Sequence, residues 1–282
     1  MFITPQRYDA AAGTMRGCLH KTMIPDYELK AVPGGDEVFE WQRGRRTRTG
    51  APVLVKLARA TPARPAEAAA LRREAAIAAE LTSAATLLPR LLESRDHTAL
   101  VMEDPGGVLL TSLLSAGRSA LETVLATAKQ LASTLAELHG RGIVHHGIRP
   151  DAVLCDESNS KAWLIDFGDA CPASSGAPSA LSAARLVYAS PEQTGRLDRA
   201  ADHRSDLYAL GVLLYELLCA APPFRSAHAL ELIHWHIAGV PTEPMQIDPT
   251  IPAPLSAIVM KLLAKSPDDR YASANEAPQP MN

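Results

Sequence analysis

The sequence predicts an α+β fold in which a small, strand-rich amino-terminal lobe precedes a larger helical lobe. Segments that alternate or are rich in β-branched residues are concentrated before residue 104. Beyond that point, apolar residues recur at helical spacing. Residues 104–107 read Asp-Pro-Gly-Gly, a cluster of turn residues that we interpret as the hinge between the lobes.

The amino-terminal lobe, residues 26–103, is predicted to contain five strands and one helix. The strands follow from short apolar segments, at residues 27–32, 38–43, 51–57, 90–94 and 98–103. Gly34 and Gly35 are expected in the turn after the first strand, and residues 45–50 in a polar hairpin. The helix is predicted at residues 67–81, which are rich in Ala, Leu, Arg and Glu.

The carboxy-terminal lobe is predicted at residues 108–271, followed by a tail at residues 272–282. Apolar spacing predicts its helices, at residues 121–139, 206–219, 227–237 and 254–263. Gly140 suits the carboxy-terminal cap of the first of them. Residues 171–184 are rich in Ser, Ala, Pro and Gly and predict a loop outside the core.

Composition and charge narrow the function classes. The chain has 282 residues, 47% of them hydrophobic, which suits one large two-lobed domain or two ordinary ones. Its formal net charge of -3 indicates neither a nucleic-acid partner nor a membrane surface. The most apolar run, residues 207–221, is interrupted by Glu216 and two tyrosines and is shorter than the roughly 20 residues that cross a bilayer. We therefore expect a buried helix there and no membrane insertion.

The cysteines and the amino terminus favour a cytoplasmic protein. Cys18, Cys155, Cys171 and Cys219 show no paired metal-ligand spacing. Residues 1–25 have neither clear periodicity nor a signal-peptide pattern, and we interpret them as an amino-terminal extension. Reduced thiols are the expected state.

Three charged residues carry the first chemical signal. Lys56 lies inside a predicted strand, Glu74 in the middle of the predicted helix, and Asp166 on a tight turn after a further strand predicted at the apolar residues 162–165. A strand lysine neutralises nucleotide phosphates, a glutamate positions the lysine, and an aspartate holds Mg²⁺. Taken singly, each has a plainer interpretation: Lys56 as an edge-strand lysine with its head in water, Glu74 as a solvated helix residue, and Asp166 as a structural turn.

In their order along the chain, the motifs of residues 27–271 resemble those of the protein kinase family. Asp166 opens Asp-Phe-Gly, and Glu192 closes Ser-Pro-Glu, which resembles the end of the activation segment. The position of Asp206 matches the aspartate that caps the catalytic-loop backbone, and Arg270 matches the arginine that pairs with the Glu192 position. The resemblance implies the bilobal protein-kinase fold for residues 26–282, with ATP and Mg²⁺ as cofactors.

The resemblance also implies which residues form the site. Asp166 is the metal ligand. The nucleotide-binding positions lie on the first turn, the lysine strand, the helix, the hinge and the cleft floor: Gly34, Gly35, Leu54, Lys56, Glu74, Met102, Glu103, Asp104, Leu154 and Asp166. Structural roles fall to His145, Glu192, Asp206 and Arg270.

The catalytic loop departs from the family pattern. The family reads His-Arg-Asp-Leu-Lys-Pro-x-Asn, whereas residues 145–152 read HHGIRPDA. Gly147 stands at the catalytic base and Ala152 at the second metal ligand, so we expect impaired phosphoryl transfer. Four residues are candidates to replace the base: His146, Arg149, His145 and Asp151. In the family, the positions of His145 and Asp151 serve packing and solvent exposure.

Further departures concern the nucleotide. Only two glycines stand where the family has three, and the adjacent Asp36 and Glu37 would repel a triphosphate. Leu54 replaces the alanine over the adenine ring, which either crowds the base or marks an adjusted pocket. His146 also replaces the arginine that pairs with an activation-segment phosphate, so the serines of that segment are expected to be linker residues. They are Ser174, Ser175, Ser179 and Ser182.

Three hypotheses follow. The first is a pseudokinase, a serine/threonine-kinase-like signalling domain that binds ATP and is catalytically impaired. The second is an active serine/threonine protein kinase with an unusual base, and the third a scaffold that binds no nucleotide. Residues 190–218 and 234–271 resemble the amino-terminal kinase-like domain of large bacterial signalling proteins. That resemblance implies histidine kinase or ATPase modules as partners.

Overall fold

The structure is a computed structural model, and it describes residues 24–81, 87–117, 119–156, 158, 160–175 and 183–276. Nearly all of the predicted amino-terminal extension lies outside the described residues. So do Cys18, Ser179, Ser182 and the end of the predicted tail.

The described part of the amino-terminal lobe is a five-stranded antiparallel sheet with one helix. In order across the sheet, the strands are β1 (Tyr27–Gly35), β2 (Phe39–Arg46), β3 (Pro52–Ala58), β5 (Thr98–Glu103) and β4 (Arg90–Glu93). Strand β1 continues through the predicted turn to Gly35, because a bulge between Ala31 and Gly35 absorbs the change of register with β2. The five strands and the single helix agree with the sequence prediction.

Helix α1 (Pro65–Ala79) carries its buried residues on one face. Pro65 occupies its first turn, and the Glu67 carboxylate accepts a hydrogen bond of 2.8 Å from the Arg64 backbone N–H. Leu71, Glu74 and Ala78 are all buried at a spacing of three and four residues. Glu74 therefore points from the helix toward the sheet.

The carboxy-terminal lobe is mainly helical. Its helices are α2 (Leu110–Ala116), α3 (Leu121–Gly140), α4 (Ala183–Leu186), α5 (Arg204–Cys219), α6 (Ala229–Ala238), α7 (Pro244–Ile247) and α8 (Ala253–Leu262). Helix α5 is buried on nearly every side and packs between α3 and α8. A Cβ added to Gly211 would lie 2.7 Å from Cβ of Leu262, so this glycine permits the close approach of α5 and α8. Among the described residues, no helix is long and apolar enough to span a membrane.

Short strands form the floor of the cleft between the lobes. One small sheet contains β6 (Val108–Leu109), β8 (Val153–Asp156) and β9 (Lys161–Leu164), and the other pairs β7 (Ile143–Val144) with β10 (Cys171–Pro172). Except for β9, the sequence analysis did not identify these strands, because two to four residues are too few to show periodicity. Strand β10 and the first two residues of helix α4 lie within residues 171–184, the segment predicted as a loop.

The end of α3 differs from the prediction. Gly140 belongs to the helix, and Arg141 occupies the cap position. Gly142 instead adopts the left-handed conformation, with φ of +71°. The chain reverses there into β7, which leads directly into the segment that aligns with the catalytic loop.

Candidate active site

Lys56, Glu74 and Asp166 meet in the cleft between the lobes. Nζ of Lys56, on β3, lies 2.6 Å from Oε2 of Glu74, on α1, and forms a second ion pair with Oδ1 of Asp166. The other Glu74 oxygen accepts a hydrogen bond of 3.0 Å from the backbone N–H of Phe167. All three charged side chains are buried. The structure thus brings together three residues that the sequence placed on a strand, a helix and a turn.

The electrostatics of this group favour the ionised forms of Lys56 and Asp166. Burial would raise the pKa of Asp166, but the cations of Lys56 and Arg149 lower it below the ordinary value. Burial would lower the pKa of Lys56, but the carboxylates of Asp166 and Glu74 raise it. Burial raises the pKa of Glu74, and Lys56 offsets part of that rise.

Arg149 forms an ion pair with the second carboxylate oxygen of Asp166. One guanidinium nitrogen, Nη2, pairs with Oδ2 of Asp166, while Nε lies 2.6 Å from Oδ1 of Asp151. Nη1 donates a hydrogen bond of 3.2 Å to the backbone carbonyl of Gly147. From the sequence, Arg149 was predicted only as a candidate to replace the base. An arginine stands where the family has a lysine, and its planar guanidinium can donate to several acceptors at once, which a lysine ammonium does with less directional precision.

Asp206 holds the backbone of His145 and His146. Its carboxylate accepts hydrogen bonds of 2.8 Å from the backbone N–H groups of both His145 and His146, and it lies 2.9 Å from Nε2 of His139. The buried His145 ring packs edge-on against Phe167, with ring centroids 5.0 Å apart. Burial lowers the pKa of His145, which favours the neutral imidazole. These contacts hold the loop in its conformation, and none of them requires a side chain at position 147, where the family has its catalytic base.

Gly147 and Ala152 leave the loop without the two reacting groups of the family pattern. Ala152 is fully buried. A Cβ added to Gly147 would lie 3.1 Å from Oδ2 of Asp169 and 3.2 Å from Nη1 of Arg149. The Asp169 carboxylate therefore lies beside the position of the missing side chain, and its other oxygen, Oδ1, pairs with Arg185. Asp169 follows directly after Asp-Phe-Gly, and sequence reasoning missed it.

The end of β1, where it leads into the turn before β2, packs against the cleft floor. Gly34 has φ of +112°, and a Cβ there would lie 2.6 Å from Cδ1 of Leu109, so only glycine fits. Beneath the turn, Nζ of Lys56 lies 5.0 Å from the centroid of the Phe39 ring and 5.9 Å from that of Trp41. Two aromatic rings of β2 therefore cover the lysine.

The predicted adenine-binding residues are packed together. Leu54, Met102 and Leu154 are buried in one apolar cluster that also contains Trp41. At the hinge, Asp104 pairs with Arg43 of β2, with Nε and Oδ2 2.6 Å apart. The neighbouring predicted residues Glu103 and Gly35 are exposed and half-buried, respectively.

The residues present do not fit a magnesium ion in this arrangement. Both oxygens of Asp166 are engaged by Lys56 and Arg149, and Gly147 and Ala152 supply no ligand. Within the described ranges, no group of three His, Cys, Asp or Glu side chains has the geometry to hold a metal ion.

Glu192 and Arg270 form a buried bidentate pair. The two guanidinium nitrogens lie 2.6 and 2.9 Å from the two carboxylate oxygens. Oε1 of Glu192 also accepts a hydrogen bond of 2.8 Å from Oγ of Ser205, on α5. Arg270 lowers the pKa of Glu192 against the effect of burial. The pair joins the segment that precedes α5 to the chain that follows α8.

Comparison with known proteins places these features in a family. The family model described as "Protein kinase domain" matches residues 38–280. The chain is 36% identical over 261 residues to the "Probable serine/threonine-protein kinase SCO3848" of Streptomyces coelicolor, an alignment of 89% of this chain and 38% of that protein. It is 31% identical to the serine/threonine-protein kinases PknH of Mycobacterium bovis and PknB of Mycobacterium tuberculosis, over 90% and 89% of this chain and 43% and 41% of those proteins.

The chain spans about two fifths of the length of these relatives. The family match covers most of the chain, and the bilobal α+β fold agrees with it. This chain belongs to the protein kinase family, with serine/threonine kinases among its relatives.

Proposed function

We propose that this chain is a pseudokinase, a serine/threonine-kinase-like signalling domain in which phosphoryl transfer is impaired. The observation that carries the proposal is the state of Asp166. Both of its oxygens are held by side-chain cations, from Lys56 and Arg149, beside a loop that has Gly147 at the base position. The framework of a kinase is present, whereas the groups that act on phosphate are absent or engaged.

The size of the impairment follows from the missing base. A positioned general base contributes about 10² to 10⁴ in rate, which corresponds to roughly 3 to 5 kcal/mol of barrier. Ala152 removes a further ligand from the same assembly. The two losses need not add, because they act on one reacting unit. Either loss by itself leaves protein phosphorylation slow.

We also propose that the domain binds ATP, the nucleotide that the kinase family generally uses together with Mg²⁺. The support is the buried pair of Lys56 and Glu74, which already holds the lysine where it would meet nucleotide phosphates. The backbone beside Asp104 would supply the hinge contacts of the base.

A scaffold that binds no nucleotide is the alternative favoured by the packing of the cleft. Phe39 and Trp41 cover Lys56, and Leu109 lies against Gly34. Leu54 is fully buried in the same region. In this alternative, the domain binds other proteins through its surface and binds no nucleotide in the cleft.

A thermal shift with ATP separates these two versions. ATP at ten times its Kd stabilises the folded state by about 1.4 kcal/mol, which raises the Tm of a chain of this size by roughly 2 to 3 °C. Lys56→Met should abolish the rise, whereas Lys30→Met, which changes an exposed lysine of β1, should retain it. An unchanged Tm at millimolar ATP would support the scaffold instead.

An active kinase with an unusual base is the second candidate function, and one contact favours it. Oδ2 of Asp169 lies close enough to Gly147 to accept the proton of a substrate hydroxyl where the family's base would do so. A cavity of about 10 Å³ beside Gly147 is lined also by Arg149, Arg185 and Tyr188. It has room for one water-sized group.

Phosphate transfer to a generic protein substrate tests the two functions. For a pseudokinase, the unaltered chain and its Lys56→Met variant should have the same background rate. For a kinase that uses Asp169, the Asp169→Asn variant should lose about 10² or more in rate. Asp198→Asn, a change of an exposed aspartate, serves as the matched control.

We propose a cytoplasmic setting with signalling modules, such as histidine kinase or ATPase domains, as partners. The support is the resemblance to kinase-like domains of large bacterial signalling proteins, together with the thiols of Cys155, Cys171 and Cys219. Co-purification with such modules, compared with an unrelated kinase domain as bait, tests the proposal. Equal recovery with both baits would contradict it.

A further inference from the structure

The guanidinium of Arg149 is surrounded by acceptors at the point where Asp166 would otherwise bind a cation. It bridges Asp166 and Asp151 and donates to the Gly147 carbonyl. Arg149 is itself buried, with 6% of its surface exposed. Burial would lower its pKa, but the two aspartates raise it, so the group is cationic at every accessible pH.

Gly147 explains why the guanidinium fits. A Cβ at this position would lie 3.2 Å from Nη1 of Arg149, closer than an ordinary contact, and a larger side chain would extend further. The substitution that removes the base therefore also makes room for the arginine. Glycine at position 147 thus accounts both for the missing base and for the space that the Arg149 guanidinium occupies.

We propose that Arg149 takes the place of the divalent cation at Asp166, so that the cleft excludes Mg²⁺ and takes nucleotide in its metal-free form. The second half of this inference rests on the proposed binding of ATP. In that state the nucleotide phosphates would meet the Lys56 ammonium and the Arg149 guanidinium at the position where the family places a metal ion, and they would compete for both groups with the carboxylates of Glu74, Asp151 and Asp166.

The charges around Asp166 oppose a metal ion. Mg²⁺ binds through carboxylates in a nearly octahedral shell of oxygens. To reach Asp166 it must displace a guanidinium and approach the Lys56 ammonium, which repels it in a buried site. The neighbouring carboxylates of Asp151 and Asp169 offer no replacement, because each is already paired with an arginine.

A titration with Mn²⁺ alone, followed by electron paramagnetic resonance, tests the first half. The unaltered chain and its Asp166→Asn variant should bind the same small amount of Mn²⁺. Arg149→Gln should bind Mn²⁺ at least about tenfold more tightly than the unaltered chain, a difference of about 1.4 kcal/mol. The control is Arg48→Gln, which alters an arginine with 80% of its side chain exposed and should change nothing. Binding by the unaltered chain that disappears in Asp166→Asn would overturn the inference, as would an unchanged affinity in Arg149→Gln.

The thermal shift with ATP in EDTA, compared with ATP in excess Mg²⁺, tests the second half on the unaltered chain. The rise in Tm should be at least as large in EDTA. A rise that appears only with Mg²⁺ would overturn metal-free binding. If neither condition gives a rise, the proposed binding of ATP and the metal-free binding that rests on it both fail, whereas the Mn²⁺ titration still decides whether Arg149 excludes the metal. Since no variant is needed for this comparison, it holds even if a substitution prevents folding.

Discussion

Arg185 reaches across the cleft to Asp36, with Nη2 3.3 Å from Oδ2. Its other terminal nitrogen, Nη1, pairs with Asp169 in the larger lobe. Asp36 also organises its own turn, because its Oδ1 accepts hydrogen bonds of 2.8 Å from the backbone N–H groups of Val38 and Phe39. A single arginine thus ties the turn between β1 and β2 to the cleft floor.

Replacing Arg185 should loosen that turn without unfolding the protein. Arg185→Ala removes two partly exposed ion pairs, with Asp36 and with Asp169, so it should lower the free energy of unfolding by about 1 to 2 kcal/mol. Hydrogen exchange at the amides of residues 34–39 should become faster, because the turn loses its contact with the larger lobe. Arg48→Ala, which removes an exposed pair with Asp26, is the control. Exchange at the same rate in both variants would contradict the role of Arg185.

The buried pair of Glu192 and Arg270 should be a main determinant of stability in the larger lobe. Arg270→Met leaves the Glu192 carboxylate buried without its partner, which should cost about 3 to 5 kcal/mol of unfolding free energy. Denaturation by urea measures the loss. Arg199→Met removes an exposed pair with Asp268 and should cost less than about 1 kcal/mol. Equal costs would show that burial of the Glu192 pair is not decisive.

His236 should make stability fall in mild acid. Burial, and then the nearby Lys265 cation, lower its pKa to about 4, while Nδ1 lies 2.9 Å from the Tyr208 hydroxyl. A histidine in the unfolded state has a pKa of about 6.5. Between that pH and the folded-state pKa, the unfolded state binds a proton at His236 and the folded state does not, so acid favours unfolding. From pH 7 to pH 5 this costs roughly 2 kcal/mol of unfolding free energy.

A pair of variants isolates that effect. In the His236→Gln variant, the decrease in unfolding free energy between pH 7 and pH 5 should be smaller by about 2 kcal/mol than in the unaltered chain. His234→Gln changes an exposed residue of the same helix, α6, and should show the same decrease as the unaltered chain. Urea denaturation at pH 7 and pH 5 measures the difference. The same decline in all three proteins would mean that other groups cause it.

Phe39 should limit access to the nucleotide phosphates, because its ring lies over the Lys56 ammonium. Phe39→Val should therefore lower the Kd for ATP. At a fixed ATP concentration, a tenfold lower Kd stabilises the folded state by up to about 1.4 kcal/mol more, which corresponds to about 3 °C in Tm. Val38→Ala, on the exposed side of the same turn, is the control. If Phe39→Val shows no larger rise in Tm with ATP, the ring is not the obstacle.

The sequence by itself determined the two lobes, their order and most of the helices and longer strands. These features depend on local patterns of apolar residues, which a single segment such as Pro65–Ala79 contains in full. It also determined what the catalytic loop lacks, since Gly147 and Ala152 have no side chain that acts on phosphate. Where local patterns were too short, as in the two-residue strands and at Gly140, the prediction failed.

Only the tertiary structure decided which charges meet. The pairing of Arg149 with Asp166, of Arg185 with Asp36, and the approach of Asp169 to Gly147 join residues that no sequence spacing links. An ionic side chain has several partners within its reach. The packing of strands and helices selects among them, because it sets which partners are buried at contact distance. For this reason the sequence predicted only that position 147 lacks the side chain of the catalytic base, whereas the fold shows that Arg149 and Asp169 lie beside that position.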